Sequence, residues 1–393
     1  MISKQNRVRI LGGVYTKFQK SLPKSIREVT FEVFKEALKD AGIQKEDIDG
    51  LYVTPPGLAG PPSFMHACEL IEYLGLSTKT LSMIECGGCT SAIAMRAAAE
   101  DILSGRINTA CVIALDWRAA DIPEDFEYFL KYAVLMQTCL YGVYDAPYGI
   151  GAPIPYYAMS AQRYMYEFNV PYEKIANVAV VLRKHAERNP LAEYRTSITV
   201  EDVKSSRELS PPLRLLDCSP FSSGAGCIIF GKDDGKKDGV YITGCGEFHH
   251  SSHFINSAES ITRFISVRKA AQQAYELSGK KPQELDVAEI YGVFTATELM
   301  ILEGLGLAEE GKAWVGFEDG SWTYGGKTVV DPSGGRLSLG HPAAVTPLAE
   351  MVEVYGHLSE KWGERNVKNA KTGLVHAEHG MLNGGIVFIL ERD

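Results

Sequence analysis

Apolar residues recur every three to four positions in several long segments, a spacing that predicts amphipathic helices. One such face spans residues 25–41 and consists of Ile26, Val29, Val33, Ala37, Leu38 and Ala41. Ser25 followed three residues later by Glu28 is a capping-box sequence, and Gly42 is a typical helix C-cap. The apolar run at residues 8–12 precedes this helix and predicts a strand.

The same plan returns at residues 239–294. A strand at 240–244 is followed by a second apolar helical face that ends at Gly279, made of Phe264, Val267, Ala271, Ala274 and Leu277. Residues 44–53 resemble 282–291, and Leu74-Gly75-Leu76 resembles Leu305-Gly306-Leu307. Strands at 110–115 and 385–390 close the two halves. Repeated strand–helix–strand units predict an α/β protein with a mostly parallel sheet covered by helices.

A glycine-rich turn in each half precedes a helix. Residues 331–342 carry Pro332-Ser333-Gly334-Gly335, which we expect neither to continue a strand nor to start a helix, and end at His341-Pro342. An apolar helix is predicted over 343–357. In the first half, Cys89 precedes a helix over 90–103. The repeat therefore predicts that the two turns face one shared cleft.

Residues 116–238 do not fit the repeat. Residues 116–157 are dense in Tyr and Phe and predict a covering loop; the alternative is an insertion that packs against a partner subunit. Residues 157–187 read as helical, with a break at Asn169-Val170-Pro171. The predicted organisation is an N-terminal half of residues 1–115 and 158–238, the loop insertion 116–157, and a C-terminal half of residues 239–393.

Composition excludes several classes of protein. The 393 residues are 45% hydrophobic and 23% charged, which is ordinary for a globular protein, and the net charge of −9 argues against nucleic-acid binding. No apolar run is long enough for a membrane span, and the N-terminus does not read as a signal peptide. Eight cysteines in so long a chain predict free thiols and a cytoplasmic location.

The repeat and the glycine-rich turns together resemble the thiolase superfamily, and most closely the sterol-carrier-protein-type thiolases. The resemblance is carried by Tyr15–Phe18, by 217–225, by 323–327 through His341-Pro342, and by His379–Gly385. In the 217–225 segment, Ser223 stands where relatives usually carry Asp. The resemblance implies two similar halves with mixed sheets covered by helices. It also implies coenzyme A as a substrate, with no tightly bound cofactor.

A thiolase requires a nucleophilic thiol, an activating imidazole and an acid/base at the α-carbon. The resemblance assigns His341 to activation and to the oxyanion, and His379 to the acid/base role. It places coenzyme A contacts at Ser338, Gly340 and Gly380. Ala343–Pro347 departs from the glycine-containing sequence usual after the Gly-His-Pro motif, which puts some thioester contacts in question.

The nucleophile departs from the family pattern. Counting back from Ser104-Gly105 puts the family cysteine at Gly88, between Cys86 and Cys89. Cys89 begins a helix, whose amides we expect to lower its pKa, and Cys86 is the alternative. A third possibility is that no cysteine reacts, because aldolases of this superfamily use tyrosines. Tyr291 would then move the proton; otherwise it is a structural tyrosine on the floor of the site.

The predicted function is carbon–carbon bond cleavage or formation in a 3-oxoacyl-CoA through a Cys89 thioester. The aromatic loop favours a bulky or aromatic acyl group, such as that of benzoylsuccinyl-CoA. The alternatives are a retro-aldolase acting on a hydroxyacyl-CoA and a non-catalytic acyl-CoA-binding subunit. A homodimer and a small zinc-finger, OB-fold partner chain are further expectations of the resemblance.

Two other patterns are set aside. Cys86 and Cys89 have the spacing of a redox or metal pair, but no second pair accompanies them, so no metal site is predicted. His249, His250 and His253 follow the strand that opens the second half, and we expect them in a pocket or on the surface.

Overall fold

The computed structural model describes residues 7–57, 65–118, 150, 153–235, 238–250, 260–380 and 382–393. Its strands are β1 (Val8–Tyr15), β2 (Gly50–Val53), β3 (Thr80–Met83), β4 (Thr109–Asp116), β5 (Glu208–Ser210), β6 (Leu213–Arg214), β7 (Gly224–Lys232), β8 (Val240–His249), β9 (Val287–Glu289), β10 (Val329–Val330), β11 (Thr372–His379) and β12 (Gly384–Arg392). Its α-helices are α1 (Ile26–Ala41), α2 (His66–Tyr73), α3 (Thr90–Leu103), α4 (Ile154–Phe168), α5 (Tyr172–Ala186), α6 (Val200–Ser205), α7 (Ile265–Ser278), α8 (Thr295–Gly304), α9 (Ala313–Asp319), α10 (Gly335–Leu339) and α11 (Thr346–Leu358).

The main sheet has ten strands in the order β10-β9-β11-β12-β8-β1-β7-β4-β2-β3. Read outward from the central β1–β8 pair, the two halves have the same order and the same strand directions. The outer strands of each half are parallel, whereas β4 and β11 pair antiparallel with β7 and β12. The predicted repeat and the mixed-sheet α/β fold are confirmed.

Two details of the sequence prediction are wrong. The sheet is not mostly parallel, because β1, β7, β8 and β12 join through antiparallel ladders at its centre. The strand at 385–390 is also not the counterpart of the one at 110–115. By position in the sheet, β4 corresponds to β11, and β12 corresponds to β7, a strand that lies in the region assigned outside the repeat.

Both predicted helices of the repeat form with the expected caps. Ser25 and Glu28 make a reciprocal capping box at the start of α1, and Gly42 ends it in the left-handed region; Gly279 ends α7 in the same way. Each helix packs close to a strand glycine. A Cβ on Gly12 would lie 2.5 Å from the backbone of Ala41, and one on Gly246 would lie 1.9 Å from that of Ala270.

Alternating strand residues divide the core of the first half into two layers. Cys111, Ile113 and Leu115 pack toward α1 and α2, while Ala110, Val112 and Ala114 face the layer that contains α3 and α11. The helices α3 and α11 meet where the amide of Leu348 donates to Ser91 Oγ, at 3.2 Å. This contact joins the N-terminal ends of the two helices that follow the glycine-rich turns, which the sequence predicts to share a cleft.

The segment before His341 contains a helix that the sequence analysis did not expect. Gly334 has a φ of +106°, which reverses the chain, and α10 follows directly from Gly335 to Leu339. A Cβ on Gly335 would lie 2.4 Å from Asp331 Oδ2. Glycine is therefore suited to start this short helix, because the Asp331 carboxylate lies against it.

The helical region predicted at 157–187 is present as α4 and α5, separated at Asn169, which has a φ of +51°. Most of the predicted covering loop, residues 119–149 and 151–152, lies outside the described residues. The proposed boundaries of that insertion stay a prediction. In the part of the chain that is described, no helix combines the length and the apolar character needed to cross a membrane.

Candidate functional site

The turn from Cys86 to Cys89 connects β3 to α3. The amide of Cys86 donates to Thr90 Oγ1 at 2.8 Å, and the Thr90 hydroxyl donates to the Gly87 carbonyl at 2.6 Å. Gly87 has a φ of +52°, which closes the turn. Cys89 is the N-cap residue of α3, as the sequence predicts.

The two thiols of this turn differ in burial. Cys89 is fully buried, and burial raises the pKa of its thiol well above the usual value, with the nearby Cys86 and Glu378 raising it further. Cys86 is half-buried, and burial together with Glu85 raises its pKa to about 11. The expectation that helix amides lower the pKa of Cys89 is not met. Desolvation can shift a pKa by several units, whereas a helix terminus contributes about 1 kcal/mol or less at most sites.

Gly88, where the family pattern places its cysteine, has no room for a side chain. A Cβ there would lie 2.2 Å from the Glu378 carbonyl oxygen and 2.9 Å from the Tyr291 hydroxyl. The hydroxyl of Tyr291 therefore borders the position where a family thiol would begin. This close approach gives a physical reason for the departure from the family pattern at this position.

His341 and Tyr291 form a close pair. His341 Nε2 lies 2.7 Å from the Tyr291 hydroxyl, and the rings meet edge to face. Burial, with a smaller contribution from Arg336, lowers the pKa of His341 to about 3, so the imidazole is neutral at pH 7. Burial also raises the pKa of Tyr291 well above its usual value. A neutral imidazole beside a protonated phenol can accept that proton and return it.

The loop that carries His341 is held from several sides. The amide of His341 donates to Ser222 Oγ at 3.0 Å, and the Ser222 hydroxyl donates to Glu193 at 2.5 Å. On the other side of the loop, the amides of Ala343 and Ala344 donate to the carboxylate of Asp116. Asp116 is half-buried at the end of β4, and desolvation raises the pKa of its carboxyl group to about 7. Sequence reasoning placed Asp116 in the loop insertion and missed this role.

His379 and Glu378 end β11 beside the same turn. A Cβ on Gly87 would lie 3.6 Å from that of His379. Burial lowers the pKa of His379 to about 4 and raises that of Glu378 to about 8, so Glu378 is protonated at neutral pH. Tyr157 Oη lies 3.2 Å from both the Glu378 carboxyl group and the Gly380 carbonyl oxygen. Glu378 was missed, although a carboxyl group directly after the mostly apolar run at 372–377 is a visible signal.

The three residues predicted to contact coenzyme A have different surroundings in the structure. Ser338 is fully buried on α10, and its hydroxyl accepts a hydrogen bond from Arg183 at 2.9 Å; its contact with coenzyme A stays a prediction. Gly340 has a φ of +115°, and Ser222, Phe18 and Glu193 fill the space beside it. Gly380 is half-buried next to His379, and its contact with coenzyme A stays a prediction.

A fully buried group of charged residues lies behind His341. Arg336 is 3.4 Å from Glu350 and 3.8 Å from Glu289. Burial raises the pKa of both of these carboxyl groups, although Arg336 acts in the opposite direction. Among the described residues, no group of three or more His, Cys, Asp and Glu side chains is arranged to hold a metal ion.

The chain is similar to several known proteins. A family model described as "Thiolase C-terminal domain-like" matches residues 246–392. An acetyl-CoA acetyltransferase of Methanothermobacter thermautotrophicus is 28% identical, over 98% of this chain and 99% of that protein. Sterol carrier protein 2 of Bos taurus is 29% identical over 98% of this chain and 72% of its own length. Benzoylsuccinyl-CoA thiolase subunit BbsB of Thauera aromatica is 37% identical over 50% of this chain and 51% of that protein.

A solved structure described as an "Ltp2-ChsH2(DUF35) aldolase" superposes with a TM-score of 0.83 and 26% identity. The match covers 99% of this chain and 98% of that one. The repeat, the ten-stranded sheet and these relatives agree with one another. They show that this chain has the thiolase fold, and they support an acyltransferase that is similar in sequence to acetyl-CoA acetyltransferases and to sterol carrier protein 2.

Proposed function

We propose that this enzyme makes or breaks the bond between the α- and β-carbons of a 3-oxoacyl-CoA, with Cys89 as the covalent acyl carrier. One observation carries the proposal: the turn Cys86–Cys89 meets both the Tyr291–His341 pair and the Glu378–His379 strand end. A thiol at a helix N-terminus, a neutral imidazole and a second acid/base are thereby gathered around one point. These are the groups that acyl transfer with carbon–carbon cleavage requires.

In the cleavage direction, His341 takes the thiol proton, and the Cys89 sulfur attacks the β-keto carbon. The bond between the α- and β-carbons then breaks, and its electron pair stays on the departing acyl-CoA as an enolate. His379 protonates the α-carbon, which releases the shortened acyl-CoA. Free coenzyme A then attacks the Cys89 thioester, takes over the acyl group and restores the thiol. Coenzyme A is thus a substrate, and the scheme uses no resident cofactor.

Cys86 is the alternative acyl carrier, because it shares the turn and is only half-buried. Because position 88 has no room for a side chain, the reactive thiol would be that of Cys89, one residue later, or that of Cys86, two residues earlier. Replacing each cysteine separately by serine distinguishes the two.

A bulky or aromatic acyl group is the proposed substrate class. The similarity to the benzoylsuccinyl-CoA thiolase subunit, 37% identity over half of each chain, supports it. Benzoylsuccinyl-CoA is therefore the first compound to test.

A second reaction, retro-aldol cleavage of a 3-hydroxyacyl-CoA, is favoured by the 2.7 Å contact of His341 with Tyr291 rather than with a thiol. Here Tyr291 and His341 remove the proton of the β-hydroxyl group, the bond between the α- and β-carbons breaks, and the β-carbon becomes a carbonyl. The same pair returns a proton to the α-carbon of the enolate, which leaves as acyl-CoA. The step needs no thioester and no free coenzyme A. The structural relative described as an aldolase supports this candidate.

A small zinc-finger, OB-fold chain is the proposed partner, and a homodimer is the proposed assembly. Support for the first comes from the same structural relative, whose description pairs Ltp2 with a DUF35 protein. Co-expression followed by size-exclusion chromatography tests both expectations.

Mass spectrometry of the intact protein and its peptides, after exposure to benzoylsuccinyl-CoA and other acyl-CoAs, tests the reaction. We expect acylation of Cys89 that is lost in the Cys89→Ser variant. Acylation of Cys86 instead would identify Cys86 as the acyl carrier. An unmodified protein that cleaves a hydroxyacyl-CoA without free coenzyme A establishes the aldolase. Binding without turnover in either assay would identify a non-catalytic subunit.

A further inference from the structure

Two histidine rings meet above the ends of three neighbouring strands. His379 on β11 is opposite Gly384 on β12, and Gly384 is opposite His249 on β8. A Cβ on Gly384 would lie 1.9 Å from His379 Nε2 and 2.5 Å from His249 Nδ1. The missing side chain of Gly384 therefore leaves the gap in which the two rings meet.

The two rings belong to a longer chain of hydrogen bonds. They stack with centroids 4.8 Å apart, and His379 Nε2 is 2.7 Å from His249 Nδ1. The other nitrogen of His249, Nε2, is 2.6 Å from a carboxylate oxygen of Glu247. Glu247 in turn pairs with Arg96 on α3, the helix that begins after Cys89. The chain leads from the site to the surface, because the His249 side chain is 34% exposed.

We propose that His249 and Glu247 form a proton relay that sets the tautomer of His379 and exchanges its proton with solvent. His249 and Glu247 are thus positioning residues, since they act through His379. The catalytic use of the relay rests on the function proposed above for His379.

Each nitrogen has a defined role in the relay. With Glu247 ionised, the Nε2–H of His249 donates to it, so His249 Nδ1 accepts the Nε2–H of His379. The lone pair of His379 is then on Nδ1. When Nδ1 gains a proton, the Nε2–H bond of His379 breaks and a new N–H bond forms at His249 Nδ1. The positive charge is then on the His249 ring, beside the Glu247 carboxylate, and water accepts a proton from that ring. Protonation of the α-carbon by His379 runs the same transfers in reverse.

The surroundings explain why such a relay is useful. Burial and the neighbouring His249 lower the pKa of His379 to about 4, whereas Glu247 acts in the opposite direction. A buried imidazole holds a proton poorly by itself, and sharing the charge with a half-exposed ring beside a carboxylate offsets this cost. Other titratable groups act on the relay through Glu247. Arg96 pairs with Glu247 and with Glu100, and Glu247 also acts on the thiols of Cys86 and Cys245.

Glu247→Gln tests the relay in the full-length protein with ¹⁵N-histidine NMR. Loss of the carboxylate should lower the apparent pKa of His379 by about one pH unit and shift its ring-nitrogen signals. It should lower kcat about tenfold and leave KM unchanged. The matched control is Glu100→Gln, which removes another carboxylate partner of Arg96, and it should change neither readout.

His249→Asn is the second variant, since its amide keeps a hydrogen-bond partner for His379 but cannot carry a proton. We expect kcat to fall about 100-fold. In His249→Gly, added imidazole should restore part of the activity, because the ring site opens to solvent. The relay is overturned if His379 titrates identically in the native protein, Glu247→Gln and His249→Asn. The NMR readout needs no turnover and therefore tests the relay independently of the proposed function. If the two histidines are coupled but the protein shows no acyl-CoA chemistry, the proposed function is refuted and the coupled pair is retained.

Discussion

The helices α3 and α11 occupy corresponding places in the two halves and bury very different side chains. The buried face of α3 is half alanine and carries no charged residue; its other members are Thr90, Ser91, Met95 and Ile102. All thirteen residues of α11 are buried, and they include Glu350, Glu353 and His357. The same order of strands and helices thus encloses an uncharged layer in the first half and a buried ionic layer in the second. The first half supplies a tightly packed turn at Cys89, while the second supplies buried polar and charged groups near His341.

The ionic layer is arranged as separate groups around buried arginines. Arg365 binds Glu353 through two hydrogen bonds, of 2.5 and 2.9 Å, and Arg336 lies between Glu289 and Glu350 at longer distances. A buried ion pair adds little net stability, but removing one partner leaves an uncompensated charge. We therefore expect the second half to be more sensitive than the first to charge substitutions and to pH.

The largest expected effect is that of Arg336→Met. This variant leaves the surrounding carboxyl groups without their cation and should lower the free energy of unfolding by about 3–5 kcal/mol. Urea titration measures the loss. The control is Arg106→Met in the first half, an exposed residue 3.5 Å from Asp101, for which we expect a change of about 0–1 kcal/mol. Equal stability of the two variants would contradict an ionic layer at Arg336.

Ile113→Ala tests the apolar half. Ile113 is fully buried on β4, and its truncation should cost about 2–5 kcal/mol through lost burial and a residual cavity. Because no charge is removed, the loss should be the same at pH 6 and pH 8 in urea titrations. A loss that changes with pH would show that the first half also depends on ionised groups.

Tyr291→Phe separates chemistry from stability in the second half. The variant removes the hydroxyl that contacts His341 and should lower kcat about 100-fold or more, as expected for loss of a proton-transfer group. Steady-state kinetics on the acyl-CoA identified by mass spectrometry measures this effect. A matching variant, Tyr275→Phe, removes a hydroxyl that donates to the Leu305 carbonyl outside the site and should leave kcat unchanged. Full activity of Tyr291→Phe would mean that this hydroxyl is only structural.

The most gradual effect, small within any one pH unit, is a pH dependence carried by Glu378. Its pKa in the folded protein, about 8, lies above that of an unfolded-chain glutamate, so the folded state keeps a proton that the unfolded state loses. This contribution is fully present below about pH 4.5 and is lost as the pH rises to about 8, by at most about 1.4 kcal/mol per pH unit. Urea titrations of the native protein and Glu378→Gln should therefore diverge across this range. A constant difference between them would show that Glu378 is ionised in the folded state.

Sequence patterns that span only a few consecutive residues predicted much of the fold. The caps of α1 and α7, the start of α3 after Cys89 and the break at Asn169 depend on local hydrogen bonds and backbone preferences. The same reasoning failed at Gly335, where the folded position of the Asp331 carboxylate against the backbone favours a glycine at the start of a helix. It also failed for the counterpart of β4, because strand equivalence is a property of the assembled sheet.

Local sequence patterns were enough to predict the two-half α/β plan, its helix ends and the glycine-rich turns that carry Cys89 and His341. Which groups meet depends on the folded chain: Tyr291 with His341, His249 with His379 across Gly384, and Arg336 with its buried carboxyl groups. The reason is physical. Capping and periodicity involve neighbours about four residues apart, whereas side-chain distances and pKa values follow from strand register and burial, which the packing of the whole chain sets.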